Sequence, residues 1–231
     1  MPAGAFDAMS RFPFEISFVS RPKTVSGSFH QKLVYSRRMA VLAAHVSRMI
    51  PRDARVLDVG AGDGKIDALI AAAREDLTIA GVDVLKRDGT FVPVRMFDGR
   101  TLPFADKSFD VILLVDVLHH TDDPWILLRE ASRVASRLVI VKDHTKNGPL
   151  AGARLSFMDY VGNAHHGVRL PHNYLSGARW NELFNALGFS VAETVRDLGL
   201  YPWPANLVFE RNLHFIAALR PGDRPRLTSA C

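Results

Sequence analysis

Between Arg55 and Lys142, short apolar runs alternate with segments whose apolar residues have helical spacing. The runs are RVLDVG, LTIAGVDV, VPVRMFD, DVILLVDV and RLVIVK, and helices are predicted to about Arg74 and from Pro124 through Arg137. Strands that alternate with helices are joined by right-handed crossovers, which give a parallel sheet covered by helices on both faces. The sequence therefore predicts an α/β fold with a mostly parallel sheet.

The segments on either side of this region do not show the same alternation of apolar runs and helical segments. A helical face runs through HQKLVYSRRMAVLAAHVSRMI and ends at Pro51, so residues 1–50 are predicted to form an N-terminal lid or helical cap. Residues 51–231 are predicted to form the main domain. Within it, residues 143–188 do not continue the alternation of strands and helices and are predicted to be an insertion. The final runs, SVAETVRDL and LHFIAAL, predict an antiparallel strand pair at the sheet edge.

Charge and cysteine content limit the class of protein. The net charge is +5 and the isoelectric point is near 9.6, but the basic residues are scattered among acids, which disfavours a specific nucleic-acid partner. The single cysteine, Cys231, excludes a disulfide framework and favours a cytoplasmic location. No uncharged apolar stretch is long enough to span a bilayer, so no integral membrane association is predicted.

The stretch VLDVGAGDGKIDALI carries three glycines, Gly60, Gly62 and Gly64, between a predicted strand and a predicted helix. A glycine turn at the carboxyl end of a parallel strand lets a ligand approach the backbone closely, although an ordinary strand-to-helix turn is the alternative. A dinucleotide-binding fingerprint would need its third glycine where Lys65 stands, and a P-loop would need a Gly-Lys-Ser/Thr sequence, which does not follow.

Three aspartates come at or just after the predicted strand ends. They are Asp58 before the glycines, Asp83 in GVDV and Asp98 in RMFDGRTLPF. Each could be a turn or helix-cap residue, but together they would repel a pyrophosphate and attract a ligand with cationic sulfonium and ammonium groups. The negative charge of the predicted pocket favours S-adenosylmethionine over NAD.

Residues 54 to 142 resemble the class I S-adenosylmethionine-dependent methyltransferase superfamily. The motifs are VLDVGAGDG, GVDV, FDGRTLPFADKSFDVILLVDVLHH and DDPWILLREASRV. The resemblance implies a Rossmann-like fold, with a seven-stranded, mostly parallel sheet whose C-terminal strand is antiparallel. It also implies S-adenosyl-L-methionine as the cofactor and a substrate-determining role for the 143–188 insertion.

The same resemblance implies a set of cofactor-binding residues at the ends of successive strands. They are Asp58, Gly60, Gly62, Asp83, Val84, Asp98, Gly99 and Asp116. In that arrangement Asp58 lies near the ammonium of the methionine moiety, Asp83 holds the ribose, and Asp98 meets the adenine edge. Asp116, just after VILLV, would line the methionine end of the pocket.

Histidines after two strands are candidates for a general base, since a neutral imidazole near its ordinary pKa suits proton removal. His144 follows the fifth strand, and His119 and His120 follow the fourth. The alternative to a catalytic role is a structural hydrogen bond for His144. For His119 and His120, the alternative is that the LHH sequence is common in the family whatever the substrate. The insertion adds His165, His166 and His172, but no ligand spacing typical of a metal site is present, so no metal is predicted.

The predicted function is methyl transfer by in-line displacement to a small-molecule acceptor, such as a metabolite, quinone, lipid or secondary metabolite. A nucleic-acid or protein methyltransferase is the first alternative, disfavoured because DVLH stands where an NPPY-type tetrad would follow the fourth strand. The second alternative is a non-catalytic cofactor-binding regulator or assembly partner on a methyltransferase scaffold. Acceptor-dependent turnover distinguishes the last alternative from an enzyme.

Overall fold

The computed structural model of the chain describes residues 29–148, 150–163 and 173–222. Within them lie seven strands: β1 Arg55–Val59, β2 Thr78–Asp83, β3 Val94–Met96, β4 Phe109–Val115, β5 Ala135–His144, β6 Ser190–Val195 and β7 His214–Arg220. The α-helices are α1 Phe29–Met49, α2 Lys65–Ala73, α3 Pro124–Val134, α4 Ala151–Asn163, α5 Gly177–Ala186 and α6 Ala205–Phe209. A short 3₁₀ helix, Leu118–His120, follows β4.

The seven strands form one sheet in the order β3-β2-β1-β4-β5-β7-β6. The first five strands pair in parallel, whereas β7 is antiparallel to both β5 and β6. This confirms the predicted α/β class, the seven strands and the antiparallel C-terminal pair. Because β1 and β4 are neighbours at the point where the strand order reverses, their carboxyl ends border the crevice where such sheets bind ligands.

Apolar side chains pack against both faces of the sheet, as expected for parallel strands that are buried on each side. On one face, the apolar stripe of α1, which includes Leu42, Val46 and Met49, packs with Val56 of β1 and Ile70 of α2. On the other face, α3 and α5 cover the sheet with buried residues such as Leu128 and Trp180. The helix before Pro51 is therefore part of the core as well as a neighbour of the crevice.

One element boundary was predicted wrongly. The helix that begins at Pro124 ends at Val134 rather than Arg137, and β5 begins directly at Ala135. Ala135 pairs with Phe109 of β4, so ladder hydrogen bonds replace the last helical turn. Sequence periodicity could not show this competition, since it depends on a strand more than twenty residues away.

Some predictions fall outside the described residues. They concern residues 1–28 of the proposed lid and His165, His166 and His172 of the insertion. In the part of the chain that is described, no helix combines the length and apolar character needed to cross a bilayer.

Candidate functional site

The glycine turn joins β1 to α2 with all three glycines at positive φ, namely 83° at Gly60, 61° at Gly62 and 74° at Gly64. A Cβ at Gly60 would come within 2.5 Å of the Val117 side chain, whereas one at Gly62 would meet nothing within 4 Å. Gly60 is thus required by packing against the loop after β4, and Gly62 leaves open space above the backbone. An open approach to the backbone is what the ligand-binding interpretation of this turn requires.

Asp83 ends β2 and reaches across to the glycine turn. Its Oδ2 accepts the Gly62 amide proton at 2.7 Å and its Oδ1 accepts the Leu85 amide proton at 2.8 Å. Each carboxylate oxygen has a second lone pair, so Asp83 can still accept hydroxyl groups. Val84 is half exposed and touches the position of Gly99, where an added Cβ would lie 3.0 Å from Val84 Cγ1.

Asp98 follows β3 and folds back on its own loop. Its Oδ1 accepts the amide protons of Arg100 at 2.8 Å and Thr101 at 2.7 Å. These backbone hydrogen bonds, that of Thr101 first, lower the pKa of Asp98. Asp98 therefore has the local geometry of a turn residue, which was the alternative to a ligand-binding role. Its contact with adenine stays a prediction.

Beneath the glycine turn, Asp58 of β1 lies beside a second buried carboxyl, Asp67 in the first turns of α2. Asp58 is 4% exposed and Asp67 is fully buried. Burial, the charge of Asp67 and a hydrogen bond with Asp67 raise the pKa of Asp58 well above its ordinary value. Burial raises the pKa of Asp67 to about 6, a hydrogen bond with Asp58 opposes that rise, and the charge of Asp63 adds to it.

A second group of buried charges occupies the ends of β4 and β5. Asp116 follows β4 with φ 57°, an uncommon conformation for a residue other than glycine. It forms ion pairs with Lys142 of β5 and, at 2.5 Å, with Arg38 of α1. Burial would raise the pKa of Asp116, but Lys142 and then Arg38 hold it well below the ordinary value. The predicted pocket residue is therefore a charged anchor between α1 and the sheet.

His119 is held by Asp143, the residue before the candidate base His144. Asp143 Oδ1 lies 2.7 Å from His119 Nδ1, and Asp143 Oδ2 accepts the amide protons of Leu118 at 3.0 Å and His119 at 3.3 Å. Burial would raise the pKa of Asp143, but its interactions with His119 and His144 lower it overall. An ionised carboxylate only accepts, so Asp143 fixes the proton of neutral His119 on Nδ1.

Regular side-chain alternation along β5 would point Asp143 away from His144, and the structure departs from this pattern. Asp143 Oδ1 lies 3.6 Å from His144 Nδ1, so both side chains belong to the same cluster. The strand ends at His144, and the 3₁₀ helix after β4 folds over its end to offer amide donors to the carboxylate. Side-chain alternation holds along a regular strand, but a carboxylate at a strand end can turn toward such donors.

His144 is almost fully buried within the cluster. Its Nδ1 lies 3.4 Å from His119 Nδ1 and 3.8 Å from Asp116 Oδ1, and its ring stands 4.9 Å from that of His214. Burial, and then the charge of Lys142, lower the pKa of His144 to about 4. His144 is consequently neutral at physiological pH but is a weak base.

The remaining candidate, His120, lies against His119, with ring centroids 4.0 Å apart and the ring planes tilted by 45°. Three atoms that could bind a metal, on Asp116, His119 and His144, lie within 4.8 Å of one another, which the sequence spacing did not indicate. A metal ion would compete there with the cations that already bind Asp116.

Sequence reasoning missed several residues of the site, namely Arg38, Asp67, Lys142, Asp143 and His214. Lys142 offered one signal, because a lysine that directly continues the apolar run LVIV is buried unless the strand ends there. Arg38 and His214 carried no signal of this kind, since they come from α1 and β7 and reach the site only through the fold.

A family profile described as a methyltransferase domain matches residues 34–194, more than half of the chain. A protein of Mycobacterium sp. strain JLS, described as an uncharacterized methyltransferase, is 33% identical over 141 residues, covering 54% of this chain and 55% of that protein. Another, from Mycobacterium tuberculosis, is 29% identical over 167 residues, covering 67% of this chain and 64% of that protein. The chain thus spans between half and two thirds of the length of these curated relatives.

Among solved structures, magnesium protoporphyrin IX methyltransferase from Synechocystis, crystallised with S-adenosylhomocysteine, superposes with a TM-score of 0.56. The alignment covers 87% of this chain and 90% of that protein at 16% sequence identity. At this identity the likeness shows that the two proteins share a fold.

Proposed function

This chain belongs to the class I S-adenosylmethionine-dependent methyltransferase superfamily, and we propose that it transfers a methyl group to a small-molecule acceptor. The observation that supports this is the placement of a buried histidine cluster beside the glycine turn. Gly60 packs on Val117, and His119 follows two residues later. The proposed cofactor and acceptor sides are therefore adjacent across one loop.

The residues of the glycine turn fit an adenosyl-methionine ligand. Gly62 leaves open space where a side chain would stand, Asp83 has acceptor capacity for hydroxyl groups, and Asp58 Oδ1 has no hydrogen-bond donor among the described residues. When bound, S-adenosylmethionine supplies a methyl group that its sulfonium activates. We propose that Asp83 and Gly62 hold the adenosyl portion and that Asp58 faces the cationic portion.

The chain's own contribution to transfer is to position the acceptor and remove a proton from it. We propose His119 as the general base, because Asp143 holds its proton on Nδ1, orients the ring and stabilises the imidazolium that forms. His144 meets this requirement less well, since its pKa of about 4 makes it a weak base at neutral pH. His144 and His120 are proposed to orient the acceptor against His119.

The proposed acceptor is a hydroxylated small molecule, for which a base is needed, and the proposed setting is the cytoplasm. Lys142 and Arg38 are already paired with Asp116, so these two cations are not available to bind the phosphates of a polyanion. Nucleic acid therefore stays the weaker alternative. The curated relatives carry further sequence outside the match, so the activity of the whole protein is part of the proposal.

The test is to incubate the protein with labelled S-adenosylmethionine and fractionated cell extract and to identify labelled products by mass spectrometry. A labelled small hydroxylated compound is expected. With that acceptor, His119→Ala should lower turnover by roughly 10²- to 10⁴-fold while cofactor affinity stays the same. His45→Ala is the matched control, because His45 of α1 hydrogen-bonds the Leu198 carbonyl and lies away from the cluster.

Three outcomes would contradict the proposal. Cofactor binding without any labelled product would favour the non-catalytic regulator. Label in RNA or protein would favour the macromolecular substrate classes. Full turnover in His119→Ala would leave methyl transfer in place but remove the assigned base.

A further inference from the structure

Asp58 and Asp67 are buried together, and no basic side chain of the described residues pairs with them. Asp58 is 4% exposed and Asp67 is fully buried. Apart from each other, Asp58 Oδ1 and both oxygens of Asp67 have no hydrogen-bond partner in the part of the chain that is described. Two ionised carboxylates cannot remain side by side in a dry interior, because each loses its water and repels the other.

One shared proton resolves this conflict. A proton on one carboxyl donates to the other, so that the pair carries a single negative charge. The raised pKa values of both groups agree with such a pair, and their direction follows from burial before any charge effect. The other charged groups that act on the pair, Asp63 from the glycine turn and Asp83 from β2, are also acids and make the second ionisation harder still.

The pair flanks the glycine turn in sequence, and Gly62 in that turn leaves open space where the proposed cofactor enters. Asp58 immediately precedes the turn in β1, and Asp67 follows it in α2, so both acids belong to the segment that holds the turn. A cation that binds against Asp58 favours the second ionisation, because it supplies a positive charge that none of the described side chains provides there.

From this geometry we infer that Asp58 and Asp67 form a proton-sharing pair that releases its proton when the cationic portion of S-adenosylmethionine binds. Asp67 is thereby a further cofactor-binding determinant, which acts through Asp58 rather than by touching the ligand. This inference rests on the proposed cofactor. It goes beyond it by making binding a proton exchange: the ligand cation enters, and one proton leaves the Asp58–Asp67 pair for solvent.

Isothermal titration calorimetry of the full chain with S-adenosylmethionine, without acceptor, tests the exchange directly. Titrations near pH 7 in buffers of small and large ionisation enthalpy should give different heats, which correspond to release of up to about one proton per ligand. The dissociation constant should fall by up to about tenfold per pH unit as the pH rises, until the free pair is fully ionised.

Asp67→Asn is the decisive variant, because it carries the charge of the singly protonated pair without its proton. The amide can donate to Asp58 Oδ1, so the variant should release no proton and should bind more weakly than wild type at neutral pH, with an affinity that does not change as the pH rises. Asp63→Asn is the matched control and should keep the proton release, since Asp63 Oδ1 is used by the Lys65 amide.

The possible results separate this inference from the proposed function. Binding with equal heats in both buffers would overturn the inference and leave the cofactor assignment standing. Proton release that persists in Asp67→Asn would remove Asp67 from it. An absence of any binding would refute both. Should Asp67→Asn fold poorly, carbon-13 titration of the wild-type aspartates decides, since the shared proton requires a carboxyl that titrates near pH 6 or above and changes on ligand addition.

Discussion

The two halves of the site bury aspartates in opposite ways. Beside the glycine turn, Asp58 and Asp67 have raised pKa values and no basic partner among the described residues. At the ends of β4 and β5, Asp116 and Asp143 have lowered pKa values, because Lys142, Arg38 and the histidines surround them. Burial acts on all four in the same direction, so the nearby charges decide the difference.

This contrast indicates what each half is prepared to receive. No described base neutralises Asp58 and Asp67, so a ligand that brings a positive charge is favoured there, as a cationic cofactor would be. The compensated acids need nothing from a ligand and instead fix histidines and helix α1 in position. The same residue type is therefore proposed to bind the cofactor on one side and to orient side chains on the other.

Removal of the cation from the compensated half should have the largest effect on stability. Lys142 is fully buried, and Lys142→Met leaves the carboxylate of Asp116 with Arg38 alone. We expect a loss of about 3 to 5 kcal/mol in the free energy of unfolding at pH 7, measured by urea denaturation. Arg179→Met, which breaks an exposed pair with Glu182, should cost no more than about 1 kcal/mol. Equal losses in the two variants would show that Asp116 does not depend on Lys142.

Replacing one acid of the uncompensated half should stabilise the protein as the pH rises. The native pKa of Asp67 is about 6, above its unfolded value, so the native state holds an extra proton between the two values. Wild-type stability from this group is therefore lost as the pH rises from about 4 through 6, whereas Asn does not titrate.

The difference in unfolding free energy between Asp67→Asn and wild type should thus move in favour of the variant by on the order of 3 kcal/mol between pH 4 and pH 7. Urea denaturation at both pH values measures it. A difference that stays constant with pH would mean that Asp67 is not protonated in the native state.

Asp83 tests the cofactor side by binding rather than by stability. Asp83→Ala removes the acceptor for the Gly62 amide and for the proposed ribose hydroxyls. Affinity for S-adenosylhomocysteine should weaken by about 1.5 to 3 kcal/mol, the usual scale for hydrogen bonds to a charged group. Asp106→Ala, at an exposed acid paired with Arg133, should bind as wild type does. Wild-type affinity in Asp83→Ala would refute the ribose role.

The smallest effect is expected at His144. Since its pKa is lowered to about 4, it carries no proton to lose between pH 5 and 8. With an identified acceptor, His144→Gln should change turnover by less than about tenfold and leave the neutral part of the pH–rate profile in place. If the rise of rate through the histidine range disappears in this variant, His144 rather than His119 is the base.

The fold was largely predictable because its signals are local. Apolar runs, helical spacing and the glycines after VLDV each depend on a few adjacent residues, and the strands they predicted are β1 to β5. The end of α3 was missed because Ala135 joins a ladder with distant Phe109. The orientation of Asp143 was missed for a related reason, since its amide donors come from the loop after a different strand.

The sequence by itself determined the strand and helix pattern, the glycine turn and the positions of the acids and histidines along the chain. Only the tertiary structure decided their chemical states. Four aspartates that burial alone would affect in the same direction have opposite pKa shifts, because Arg38 of α1 and Lys142 of β5 meet Asp116 while no described base meets Asp67. Such shifts depend on charges within a few ångströms in space, and those neighbours come from segments far apart in sequence.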